Sequence, residues 1–247
     1  MNSVNNQIYN ELGSRWYLAD DDPVALLRAE SKLRNPWICE QIGKKFGLSE
    51  FKPKVLDIGC GAGFLSNTLA QQGYEVTGVD LSESSLAVAK QYDRTQSVNY
   101  VYANADALPL AGKSQDVVCA MDFLEHVENP SQIIAEAARV LKPGGLFFFY
   151  TFNRNPLSWL LIIKAVEWFV HNTPANLHLY RYFIKPREMK AMCREAGLIV
   201  NNTVGIKPVI LTPAVWKLIT TGKVSPEFRF EFTRSEICGY LCSGEKT

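Results

Sequence analysis

Residues 54–80 constrain the chain more than any other stretch. A short apolar run, Lys54–Ile58 (KVLDI), leads into Asp57-Ile58-Gly59-Cys60-Gly61-Ala62-Gly63. A helical segment, Phe64–Gln72, follows and is closed by Gly73; a second apolar run, Glu75–Asp80 (EVTGVD), ends in an acid. Strand, glycine turn, helix, strand and terminal acid together predict a βαβ unit in a parallel sheet. Glycines at the turn let the backbone approach a ligand, and the helix start offers free N–H groups to an anion. Asp80, 21 residues after Gly59, is placed to accept hydrogen bonds from ribose hydroxyls. The dinucleotide pattern GxGxxG fails, because its last position, counted from Gly59, is Phe64; NAD and FAD are set aside.

The alternation continues. Val98–Ala103, Asp116–Met121 and Leu146–Thr151 read as strands, with helices at Ser82–Gln91 and Pro130–Leu141. LFFFYT is apolar on both faces, as in a covered parallel sheet. Asn35-Pro36 reads as a helix start and Asn155–His171 as one apolar helix; Lys185-Pro186 opens another that stops at Gly197. Leu198–Val204 and Ile237–Ser243 read as final strands of an antiparallel, hairpin-like edge, and 205–235 carries no clear pattern. The expected architecture is one elaborated α/β domain. Residues 1–50 form a helical cap, 51–247 the main domain, and 152–185 an insertion after the fifth strand.

Lys and Arg number 26 against 25 Asp and Glu, a net charge of +1, which supplies no field for a phosphate backbone, so nucleic acid is not an expected partner. No apolar run reaches the length of a membrane span, and the start MNSVNNQIYN lacks a signal-peptide pattern. The six cysteines show no CxxC pair and read as reduced core thiols of a cytoplasmic protein.

VLDIGCGAG followed by GVD resembles the class I S-adenosylmethionine-dependent methyltransferases, as does Leu141–Gly145 (LKPGG) before the fifth strand. That resemblance implies a Rossmann-like, mostly parallel seven-stranded sheet flanked by helices. It also implies cofactor contacts at Asp57, Gly59, Cys60, Gly61 and Gly63, at Asp80 and Leu81, at Asp106 and Ala107, and at Met121. Met121-Asp122-Phe123-Leu124-Glu125-His126-Val127, Thr151–Asn155, Phe183–Pro186, Ser14-Arg15-Trp16 and Asn35-Pro36 are similar, more closely, to the ubiquinone-biosynthesis O-methyltransferases. The activity implied is methylation of a phenol or catechol hydroxyl on a polyprenylated quinone precursor. One departure stands out. The family has a cofactor-contacting arginine where this chain has Ile38, and Arg34 lies one turn earlier.

Methyl transfer to a phenol needs the proton removed or the phenolate stabilised. Asp122, Glu125 and His126 are expected on one side of a helical turn, with His126 as base or all three holding Mg²⁺. His178 is a candidate second base from the loop after the apolar helix. Residues 156–170, apolar and tryptophan-bearing, are expected to cover a greasy tail or lie on the inner face of a membrane, making the protein peripheral there. Two other readings stay open: a methyltransferase for a different small acceptor, and a lipid-binding accessory subunit without turnover.

Overall fold

The computed structural model describes residues 4–47 and 51–247; the boundary expected at residue 50 lies outside them. The strands β1 (Lys54–Ile58), β2 (Glu75–Asp80), β3 (Asn99–Tyr102), β4 (Gln115–Met121) and β5 (Leu141–Phe152) pair in parallel. They are followed by β6 (Leu198–Pro208), β7 (Phe230–Thr233) and β8 (Gly239–Lys246) in one eight-stranded sheet of order β3-β2-β1-β4-β5-β8-β6-β7. Helices α1 (Arg15–Leu18), α2 (Pro23–Phe46), α3 (Phe64–Gln71), α4 (Glu83–Tyr92) and α5 (Pro130–Val140) belong to the cap and the parallel half. The later helices are α6 (Pro156–Ser158), α7 (Ala165–Phe169), α8 (Pro186–Glu195) and α9 (Pro213–Thr221).

The double-sided apolar run in β5 does what a covered strand requires. Phe147 and Phe149 pack with α5 and α8, while Phe148, Tyr150 and Phe152 pack with α2 and α3. Both faces of the sheet are therefore core, and polar chemistry is left to the strand ends.

Four expectations are corrected. The sheet has eight strands, not seven: β7 is a four-residue edge strand from the stretch that carried no pattern. β6 and β8 do pair antiparallel, but β8 is interior, seated between β5 and β6. The Asn35-Pro36 pair does not start a helix. Asp22 caps one at Pro23 by accepting from the Ala25 N–H, and Pro36 lies inside it. Interior proline removes a helix hydrogen bond; Asn35 offsets this by donating to the Phe64 carbonyl at 2.8 Å and to Thr68 at 3.1 Å, tying α2 to α3. The apolar helix begins at Pro156, where the Asn155 side chain accepts from the Leu157 and Ser158 N–H groups, but it widens to a π-helical stretch at Trp159–Lys164 before α7.

Candidate active site

The carboxyl ends of β1 and β2 are joined by a network that fixes the glycine turn. The N–H groups of Gly59 and Cys60 both donate to the Val79 carbonyl, at 2.8 and 3.1 Å. One oxygen of Asp80 accepts the Gly61 N–H and the other the Ser82 N–H, each at 2.8 Å. The Leu81 N–H is a further donor toward this carboxylate, which still has acceptor capacity left, and Asp80 lines the adjoining cavity. Gly59 has φ +67°, and a Cβ there would lie 2.2 Å from the Phe123 ring. Behind the turn, buried Asp57 accepts from the Ser66 hydroxyl at 2.6 Å, and burial pushes its carboxyl up to about 7.

A buried charge cluster faces the turn from α2 and β4. Arg34, 3% exposed, pairs with Asp122 at 2.5 Å and lies over the Tyr150 ring at 4.6 Å. Glu30 stands 3.9 Å from the same guanidinium, and burial raises its carboxyl to about 7. The Arg34 Nε and Nη1 atoms are buried without partners. Asp122 leaves β4 at φ +51°, and only Leu124–His126 then form a short 3₁₀ turn. This corrects the expectation that Asp122, Glu125 and His126 share one side of a helical turn: Asp122 lies before the turn, with its carboxylate paired to Arg34.

His178, from the insertion loop, takes the place expected for Asp122. Its ring centroid is 5.2 Å from that of His126, and one ligand atom from each of Glu125, His126 and His178 falls within 4.8 Å of the others. Glu125 is fully buried, accepts from the Thr151 hydroxyl at 2.8 Å, and is pushed up to about 8 by burial and by neighbouring Asp122. Burial lowers His126 to about 4, opposed by Asp122, so its imidazole is neutral near pH ~7. The His126 Nδ1 and Glu125 Oε1 atoms have no partner.

One cavity of about 1190 Å³ connects these parts. Asp57, Gly59, Cys60, Gly61, Asp80, Leu81, Asp106 and Met121 line it, as do Arg34, Asp122, His126 and His178. Gly63 and Ala107 do not. Gly63 serves packing instead, since a Cβ there would lie 2.3 Å from the Tyr100 hydroxyl. The roof is aromatic: Tyr9 stacks on Trp16 at 5.6 Å and meets His126 edge-on at 5.8 Å. Trp16 carried a sequence signal in the Ser-Arg-Trp triplet; Tyr9, Glu30 and Tyr150 carried none, because only the folded chain brings them together.

The glycine turn, the acceptor capacity left on Asp80 and the Arg34 nitrogens without a hydrogen-bond partner suit a ligand with a ribose at one end and an amino-acid carboxylate at the other. A family model described as a methyltransferase domain matches residues 56–149. The ubiquinone biosynthesis O-methyltransferase of Leptothrix cholodnii is 38% identical over 212 residues, covering 84% of this chain and 88% of that protein. Its namesake from Pseudomonas fluorescens is 38% identical over 201 residues, 80% of this chain and 84% of that one. Among solved structures, an S-adenosylmethionine-dependent methyltransferase of Thermotoga maritima matches with TM-score 0.63 and 19% identity over 98% of this chain and 99% of its own. Magnesium protoporphyrin IX methyltransferase of Synechocystis, solved with bound SAH, matches with TM-score 0.57 and 18% identity over 88% of this chain and 81% of its own. The structural likenesses establish the Rossmann-like methyltransferase fold. The sequence relatives establish that this chain is an S-adenosylmethionine-dependent methyltransferase belonging to the ubiquinone biosynthesis O-methyltransferase family.

Proposed function

We propose that the protein methylates a ring hydroxyl of a polyprenylated phenol or catechol, a quinone precursor. The observation that carries this reading is the single cavity. It joins the Gly59–Asp80 cleft to the His126–His178 pair and then runs on between apolar walls at Phe169, Leu218 and Phe228. Its 1190 Å³ exceeds the ~300–1,000 Å³ usual for one small ligand, giving room for a cofactor and an acceptor together.

When bound, S-adenosylmethionine supplies a methyl group already activated on a sulfonium. The chain's task is alignment and proton removal. Asp80 receives the ribose hydroxyls, Arg34 the carboxylate, and Asp122 the ammonium group. His126, neutral and lining the cavity, accepts the phenol proton. Glu125 lies behind it, and its carboxylate balances the imidazolium that forms. Phenols ionise near ~10, so the transfer runs uphill to a histidine held at about 4 unless that carboxylate is charged. Activity is accordingly expected to rise with pH as Glu125 ionises around 8.

Mg²⁺ does not fit the groups assembled here. It prefers oxygen ligands, whereas Glu125, His126 and His178 offer one carboxylate and two imidazoles, a set closer to that of borderline transition ions. Asp122, expected among the ligands, is held by Arg34. No step is routed through a metal.

The test is methyl transfer from labelled S-adenosylmethionine to a prenylated catechol. The wild type is expected to label one ring hydroxyl, and His126→Ala to lower kcat about 100-fold or more without changing cofactor affinity. Tight cofactor binding with no transfer to any phenol would sink the reading.

Glu125 also makes a stability prediction. The folded chain holds its proton up to about 8, while an unfolded glutamate releases it near ~4.3. Stability therefore falls as pH rises through that interval and levels off above it. Glu125→Gln is expected to flatten this part of the profile and to gain about 1–3 kcal/mol at pH ~8.5. Urea unfolding at the two ends of the interval reads it; a variant as pH-sensitive as its parent would show that the carboxyl is not held protonated.

Membrane contact is part of the same proposal. No helix among the described residues is long and apolar enough to cross a bilayer. Leu157, Trp159, Leu161 and Trp168 are exposed along the insertion, and apolar rings with a tryptophan rim suit the interfacial zone of a membrane's inner face. Replacing Trp159 and Trp168 by serine is expected to abolish co-sedimentation with phospholipid vesicles; undiminished sedimentation would remove the insertion as the anchor.

A further inference from the structure

Residues 209–229 showed no pattern in the sequence, yet they build one wall of the cavity. Thr212 caps α9 by accepting from the Val215 N–H at 3.3 Å, and Gly222 ends it at φ +67°. Ala214, Leu218, Val224 and Phe228 pack with Val170 of the insertion and with Ala25 and Ala29 of α2. Two backbone bonds fix the far end of α9: the His171 N–H donates to the Gly222 carbonyl at 3.1 Å, and the Val224 N–H to the Asp20 carbonyl at 2.6 Å. The wall is thus locked both to the insertion and to the cap.

The cavity lining differs in character between the parts of the chain that supply it. Its cofactor end holds Glu30, Arg34, Asp80, Asp122 and His126. Among the described residues from 152 to 238, no lysine, arginine, aspartate or glutamate lines it. There the walls are insertion residues such as Val166 and Phe169 on one side and Val215, Leu218 and Ile219 of α9 on the other, with Phe228 between. Ile219 is both a lining residue and 44% exposed, so the slot reaches the surface there, beside exposed Trp216 and Leu211. A slot whose walls from the insertion and α9 carry no charged side chain, and which opens at an apolar rim, suits a hydrocarbon.

We propose that α9 is the tail-length gauge of this enzyme: the isoprenoid tail of the acceptor runs from His126 between the insertion and α9, and Val215, Leu218 and Ile219 set which tails pass. This rests on the reading of the acceptor as a prenylated phenol. The mouth at Ile219 sets the exit, so tails longer than the slot trail outward past Trp216.

The experiment uses the full chain and one catechol ring in three forms: without a tail, with a two-isoprene tail, and with a long tail in detergent micelles. Leu218→Trp narrows the slot. The expected result is a fall of about tenfold or more in kcat/KM for the long-tailed acceptor relative to the tail-less one, with S-adenosylmethionine affinity retained. Ile219→Trp, at the half-exposed mouth, covers the case in which the inner variant does not fold; it is expected to impair the long-tailed acceptor but not the two-isoprene one. Equal effects on all three acceptors, or none in a folded variant, would overturn the gauge. If the wild type methylates none of the three, the acceptor class itself is wrong.

Discussion

Asp80→Ala is expected to weaken S-adenosylmethionine binding by about 100-fold or more, the largest single effect on the cofactor. Two losses combine. The carboxylate accepts the Gly61 and Ser82 N–H groups at 2.8 Å, so its removal loosens the glycine turn, leaving it tied to β2 only through the Val79 carbonyl. The lone pairs it keeps for ribose hydroxyls also disappear, and hydrogen bonds to a charged acceptor are worth about 1.5–3 kcal/mol each. Asp80→Asn separates the two, because an amide oxygen still accepts from one backbone donor while the charge is gone. Calorimetric titration of both variants measures this. Parental affinity in the alanine variant would mean that the ribose lies elsewhere.

The second large effect is expected at Arg34, the buried cation paired with Asp122. Arg34→Met should lower stability by about 3–5 kcal/mol, because Asp122 and Glu30 then lack their buried counter-charge. Cofactor affinity should fall about 30-fold or more as a buried, hydrogen-bonded ion pair is lost. Arg34→Lys restores charge without the fork that spans Asp122 and a carboxylate together, so it should recover stability more fully than affinity. A cofactor analogue lacking its carboxylate isolates the contact: parent and variant should bind it alike. If a folded Arg34→Met variant binds intact S-adenosylmethionine as tightly as the parent, the unpartnered Nε and Nη1 atoms serve only the charge cluster. Ile38 cannot take over, since it is fully buried in the core beneath α2.

The cofactor half was legible in the sequence because its signals are local. A strand, its turn and the next strand lie within residues 54–80, and each glycine or acid acts where it stands. The catalytic segment was legible only in composition. Asp122, Glu125 and His126 were singled out together by helical spacing, whereas a positive φ at Asp122 and a partner 88 residues away turn its carboxylate to Arg34. His178 reached the site through a loop whose course no periodicity encodes. Pro36 misled for a related reason: its cost to the helix is local, but the Asn35 bonds that offset it are tertiary. β7 escaped notice because a four-residue edge strand with partly exposed faces gives no alternation long enough to detect.

The interior place of β8 also dictates an order of assembly. β6 has no contact with the parallel strands in the sheet order except across β8, and β8 is the last element in the chain. The five parallel strands and their turn can pair as soon as β5 is made. Everything between β6 and β8, α9 included, must wait for Gly239–Lys246 to slot in beside β5. Sequence-distant pairing of that kind is slow to form. During synthesis the glycine turn and Asp80 are thus in place while the wall opposite the insertion is still missing, and the last strand to arrive is the one that lets that wall close the cavity.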